Sequence, residues 1–158
     1  MECYLVRHGE AQHGPEGSAR PLTARGREEI RQVARYAAAL GIQVAEIRHS
    51  GLVRARETAE ILASHLAPRR GIGQADGLAP EDDPQTACAA IEAVREPVML
   101  VGHLPHLGRL ASALVLGSPA REVVRFRPGT VACLAKAGGG WVVEWVVTPA
   151  LAGAGGKS

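Results

Sequence analysis

Residues 97–108 read PVMLVGHLPHLG. The run from Val98 to Val101 is apolar without alternation, the pattern of a strand covered on both faces. Such strands belong to parallel sheets sandwiched between helices. Gly102 and His103 end the run. A helix is expected from about Pro105 to Leu116, stopped by Gly117. The chain start repeats the layout. Residues 1–11, MECYLVRHGEA, place a short strand over 2–7 and then Arg7, His8, Gly9 and Glu10 in a row. Gly9 suggests a turn that leaves room for a ligand near the backbone.

The rest of the chain fits the same alternation. Residues 11–22 are rich in Gly, Pro and small polar residues and read as a loop. Thr23 can cap a helix over roughly 24–40, where Ile30, Val33, Ala34 and Ala37 recur at helical spacing. Gly41 ends it. A second strand is expected over 42–49. Ser50 is the expected N-cap of a helix to about His65, with Ala55, Ala59, Leu62 and Leu66 on one face. Residues 67–82 form a long Gly- and Pro-rich excursion that could fold over a site. Asp83 and Pro84 start a helix to about Arg95. Three strand-like runs follow, VVRFR, TVACLAK and WVVEWVV, separated by PG and GGG turns. The expected fold class is α/β: a three-layer α/β/α sandwich with a mostly parallel central sheet. We expect one domain over residues 1–148 and a flexible tail over 149–158. That tail holds GGKS, but a phosphate-binding loop needs Gly where Leu151 stands, so the motif is rejected.

Composition narrows the function. The chain has 158 residues, 46% hydrophobic and 22% charged, enough for a full core. Aromatics are only 3%, which disfavours base-stacking on single-stranded nucleic acid. A net charge of +2 implies neither a nucleic-acid nor a membrane partner. The 3 cysteines include no CxxC pair, so neither a disulfide framework nor a zinc site is expected. Buried spectator thiols in a reducing cytoplasm are the expectation. No signal peptide is expected at the start, and no apolar run has membrane-spanning length.

Three segments share one place in this architecture. Arg7 and His8 follow the first strand, Ser50 and Arg54 the second, Gly102 and His103 the third. In parallel α/β sheets ligands bind at the carboxyl ends of the strands. Two Arg, two His and two helix N-termini should therefore meet there, with Arg20 within reach from its loop. Guanidinium forks and helix N-termini favour an anion, phosphate above all. A neutral imidazole beside a phosphate can attack phosphorus and form a phosphohistidine. The guanidinium groups would replace a metal in neutralising the equatorial oxygens, and a carboxyl would protonate the leaving group.

The ordered segments LVRHGEA, SARPLTARG, SGLVRARETA and VGHLPHLG resemble the histidine phosphatase superfamily, the phosphoglycerate mutase-like proteins. RHG alone is a weak match; RHG, PLTxxG, RAxxTA and GHxP in that order is a strong one. The resemblance runs to about residue 148. The short length and the SARPLTARG segment are most similar to SixA-type phosphohistidine phosphatases. It implies His8 as nucleophile, Arg7 and Arg54 as holders of the phosphoryl group, His103 completing the pocket, and Arg20 near the phosphate. The larger mutases carry an inserted Glu acid that this chain is too short to hold. Glu81 and Asp82 are the nearby acid candidates. Two local departures stand out. Gly51 occupies a position where Pro is common, and His106 one where Gly or an apolar residue is common; His106 could alter the rim of the site.

The implied function is a metal-independent, cofactor-free phosphatase acting in the cytoplasm. Its substrate would be phosphohistidine on a protein, such as a histidine phosphotransfer domain of a signalling relay. One alternative is a phosphatase of a small sugar or nucleoside phosphate. Another is a non-catalytic phosphate-binding module. A metal protein using His8 and His103 is the weakest, because no HxH or HxxxH pair is present. His13, His49 and His65 read as surface or packing residues, and Glu10 as a loop charge.

Overall fold

The computed structural model describes residues 1–15 and 17–155. In chain order the elements are β1 (Glu2–Arg7), α1 (Ala24–Ala39), β2 (Glu46–His49), α2 (Val53–Leu66), β3 (Ile72–Gln74), α3 (Pro84–Ala93), β4 (Val98–Gly102), α4 (His106–Leu116), β5 (Val131–Ala137), β6 (Gly140–Val147) and α5 (Pro149–Gly155). The strands form one sheet in the order β3-β2-β4-β1-β5-β6. The pairs β3/β2, β2/β4 and β4/β1 are parallel; β5 and β6 add antiparallel pairs at one edge.

Each face of this sheet carries its own core. On one side Leu5, Val98, Leu100 and Leu134 pack against Ile91 of α3 and Leu107, Leu110 and Ala111 of α4. On the other, Val6, Ile47, Met99 and Val101 pack against Ile30 and Val33 of α1 and Ala55, Ala59 and Leu62 of α2. The layers are therefore α/β/α. With few aromatics available, the cores are aliphatic, and each fully buried Leu or Ile contributes about 1.5–3 kcal/mol. All of β4 is buried, as its unbroken apolar run requires. Cys3 and Cys133 are buried in these cores, and burial pushes their thiols up to about 12 and about 11.

Five local expectations change. The second strand is shorter than 42–49. After Gly41, at φ +76°, the chain climbs from the helix layer, and the ladder begins only at Glu46. Ser50 does not cap α2; the N-cap is Leu52, without a side-chain hydrogen bond. The 67–82 excursion contains β3, a three-residue edge strand on β2. VVRFR is not a strand. Val124 and Phe126 are buried there, but the Phe126 carbonyl accepts from the Arg7 guanidinium instead of a ladder. Residues 149–155, expected to fray, form α5. Ala152 is buried against the α1 side of the core, and a Cβ on Gly153 would lie 2.9 Å from the Gln32 carboxamide. The remainder of the expected tail, 156–158, lies outside the described residues. Among the described residues no helix is long and apolar enough to cross a membrane.

Candidate active site

The register of the sheet builds the site. Arg7 pairs with Gly102 across β1 and β4, and His49 with Val101 across β2 and β4. The carboxyl ends of three parallel strands therefore lie side by side. One residue further on, the His8 amide donates to the Gly102 carbonyl at 3.1 Å, and the His8 and His103 rings stand 5.0 Å apart.

The His8 ring has a defined tautomer. Its Nδ1 lies 2.7 Å from the Gly9 carbonyl, which can only accept. Nδ1 therefore carries the hydrogen and Nε2 keeps its lone pair. Burial is the main force lowering the His8 pKa, to about 4; Arg54, Arg7 and Arg20 push it down further against the opposing Gly9 bond. His103 falls to about 3, first by burial, then through His8, Arg54, His106 and Arg20. Both imidazoles are neutral at pH 7.

The arginines converge without carboxylate partners. Arg7 donates to the Phe126 carbonyl at 2.8 Å, and its buried Nε has no partner. Arg20 and Arg54 line an open cavity of about 700 Å³ with Ser18, Leu52, Leu104 and Glu81. Among the described residues none of the three makes an ion pair. Asp82 and Glu81 reach the rim of this cavity, but both are engaged. Asp82 accepts from the Ala79 amide at 2.9 Å, and Glu81 stands 3.5 Å from Arg109 in an exposed ion pair. Among the described residues no three His, Cys, Asp or Glu side chains are arranged to hold a metal ion.

Several supporting residues escaped the sequence reading. Thr58 is fully buried; its hydroxyl accepts from the Gly9 amide at 3.1 Å and donates to the Arg54 carbonyl at 2.8 Å. It thus ties the loop after β1 to α2, the helix that carries Arg54. Its signal was its place four residues after Arg54 in RARETA. Gly9 is small for a different reason than a ligand: a Cβ there would lie 2.8 Å from Ile30 and 3.2 Å from the Gly26 carbonyl. Gly26 is itself crowded, since its Cβ would meet the Glu10 carbonyl at 2.2 Å.

Glu10 is more than a loop charge. Its carboxylate accepts from the Thr23 hydroxyl at 2.9 Å, while Thr23 caps α1 by accepting from the Gly26 amide. Glu57 accepts from the Leu22 amide at 2.8 Å and pairs with Arg27. PLTxxG is thus a scaffold that pins the Arg20 loop and α1 to the strand end. His106 is not on the rim; it is fully buried in the first turn of α4, with neither ring nitrogen hydrogen-bonded. His13 and His65 are exposed and outside the site.

The sequence pattern of the histidine phosphatase superfamily (branch 1) matches residues 3–79, the half of the chain that carries Arg7, His8, Arg20 and Arg54. An uncharacterized protein of Picosynechococcus is 36% identical over 140 residues, 83% of each chain. The chain belongs to the histidine phosphatase superfamily. As a member of its branch 1, it is also similar to "Probable phosphoglycerate mutase GpmB" of Escherichia coli, 47% identical over 68 residues. That match spans 40% of this chain and 31% of the mutase. In structure it is similar to the protein histidine phosphatase SixA complexed with tungstate, with a TM-score of 0.83 at 24% identity. The alignment covers 95% of this chain and 98% of SixA. The six-stranded sheet between two helix layers is the histidine phosphatase fold.

Proposed function

We propose that this superfamily member is a metal-independent phosphatase that hydrolyses phosphohistidine on a protein through a phosphohistidine at His8. The observation that carries the reading is the His8 ring. It is neutral, its Nδ1 hydrogen is bound to the Gly9 carbonyl, and its Nε2 lone pair is free beside arginines that have no carboxylate partner. A nucleophile needs that lone pair, and phosphoryl transfer needs uncompensated cations.

In the first step Nε2 attacks phosphorus and the bond from phosphorus to the substrate nitrogen breaks. The departing imidazole takes a proton from solvent. In the second step water attacks the phosphorus on His8 and the bond from phosphorus to Nε2 breaks, giving inorganic phosphate and neutral His8 and returning one proton to solvent. Arg7, Arg54 and Arg20 hold the equatorial oxygens, and His103 completes the pocket. A phosphorylated imidazole is a labile donor, so the acid demand is small. That suits a rim on which Asp82 and Glu81 are already engaged. The apolar side chains of Leu52 and Leu104, 39% and 38% exposed at the cavity, suit a protein surface better than a polyhydroxylated sugar. The tungstate-bound phosphohistidine phosphatase of the same fold supports the choice.

A comparison of kcat/KM tests the substrate. A phosphohistidine-bearing phosphotransfer domain, a sugar phosphate and a nucleoside monophosphate are supplied with and without EDTA. The proposal expects the phosphoprotein to be preferred at least tenfold and EDTA to have no effect. Preference for a small ester would select the small-molecule reading. Binding without phosphate release would select the binding module.

A further inference from the structure

The three residues His49, Ser50 and Gly51 form a turn in which each has a distinct task. His49 is buried at the end of β2, and its Nδ1 accepts from the Gly51 amide at 3.0 Å. Gly51 adopts φ +93°, a conformation that side chains resist. A Cβ there would also lie 2.5 Å from the Gln74 carboxamide of β3. The turn is therefore locked from both sides, and it explains why Gly replaces the common Pro. Ser50, held between them, accepts from the Leu52 amide at 3.3 Å and sits 2.6 Å from Nε2 of His103.

We infer that Ser50 is a positioning residue for His103, which fixes the plane of its ring against the reacting phosphoryl group. The inference rests on the role proposed above for His103. That ring is 1% exposed, and its Nδ1 has no hydrogen-bond partner. Ser50 is thus the side chain that defines the ring's rotation. A buried ring with no partner on either nitrogen could turn over, because nothing polar would distinguish its two edges. A hydroxyl suits the task because it both donates and accepts. It can donate to a bare Nε2 and accept from a protonated one, so the ring keeps its plane when negative charge arrives beside it. The same bond explains why Ser50 does not cap α2.

The test is a double-mutant cycle on a labelled phosphoramidate, read as kcat and KM separately. Ser50→Ala should lower kcat about tenfold, the worth of one hydrogen bond, and leave KM within about twofold. Ser50→Thr, which keeps the hydroxyl, should restore kcat. In a His103→Ala background Ser50→Ala should have no further effect, because the ring it positions is gone. If Ser50→Ala does not fold, Ser50→Cys offers a weak hydrogen-bonding group of similar size, and the same loss is expected. Three results would overturn the inference: an unchanged kcat, a raised KM at constant kcat, or an equal loss in the His103→Ala background. Full activity of His103→Ala alone would instead overturn the role of His103 in the proposed mechanism.

Discussion

The two ends of the sheet treat arginine in opposite ways. At the amino ends of β2, β3 and β4, Arg48 meets Glu46 at 3.2 Å, and Arg69 and Arg70 both meet Glu96. At the carboxyl ends Arg7, Arg20 and Arg54 gather around two neutral histidines, and no carboxylate of the described residues pairs with them. The residue type is the same; the neighbours differ. Arginines neutralised by carboxylates have little left for a ligand. Uncompensated arginines beside a half-buried cavity repel one another, and an arriving dianion relieves that repulsion. The difference marks one end as structural surface and the other as the end to which the proposed mechanism brings phosphate.

The contrast is broken most directly by paired substitutions. Arg54→Ala should lower kcat/KM about 10²–10³-fold, as loss of a charge-stabilising donor does. Arg70→Ala should leave kcat/KM within about twofold and stability within about 1 kcal/mol, because its pair is exposed. Equal losses at both ends, read by steady-state kinetics, would erase the distinction.

Acid sharpens it next. Unfolded, His8 and His103 take a proton near pH 6.5; folded, they do so only near about 4 and about 3. Between those values the unfolded chain binds more protons. Stability is therefore full above about pH 6.5 and is lost progressively as the pH falls toward 4 and then 3. A melting temperature followed from pH 7 to pH 4 should fall, and His8→Ala should flatten part of the slope. A flat profile in the wild type would contradict the burial of uncharged imidazoles.

The smallest effect concerns the tie between β1 and α2. Thr58→Val removes the acceptor of the buried Gly9 amide and should cost about 1–3 kcal/mol. Denaturant melts would measure it. The variant should keep the fold while loosening the loop that holds His8.

Much of this arrangement was legible in the sequence, for identifiable reasons. A doubly covered strand shows itself as an unbroken apolar run, so β4 and the α/β class followed from VMLV. The convergence of Arg7, Arg54 and His103 followed from a rule of topology, that strand ends collect ligand sites, and from the order of the family's segments. The supporting bonds were illegible because they join residues far apart in the chain. Thr58 meets Gly9 across 49 residues, and Ser50 meets His103 across 53. Ser50 shows the limit most clearly. Local chemistry recommends a serine before a helix as its cap, and only the neighbouring strand reveals a different partner. VVRFR likewise has strand composition, but its Phe126 carbonyl is used by a guanidinium 119 residues away. Glu10 read as a loop charge because Thr23, which it binds, lies on the far side of an irregular loop.

The central claim is that His8 becomes bonded to phosphorus. The direct measurement is rapid denaturing quench of the protein with a phosphorus-labelled phosphoramidate, followed by mapping of the labelled peptide. The account predicts an acid-labile, base-stable label on His8, formed in the presence of EDTA and absent from His8→Ala. Phosphate release in that variant at the wild-type rate, or a label on any other residue, would contradict it.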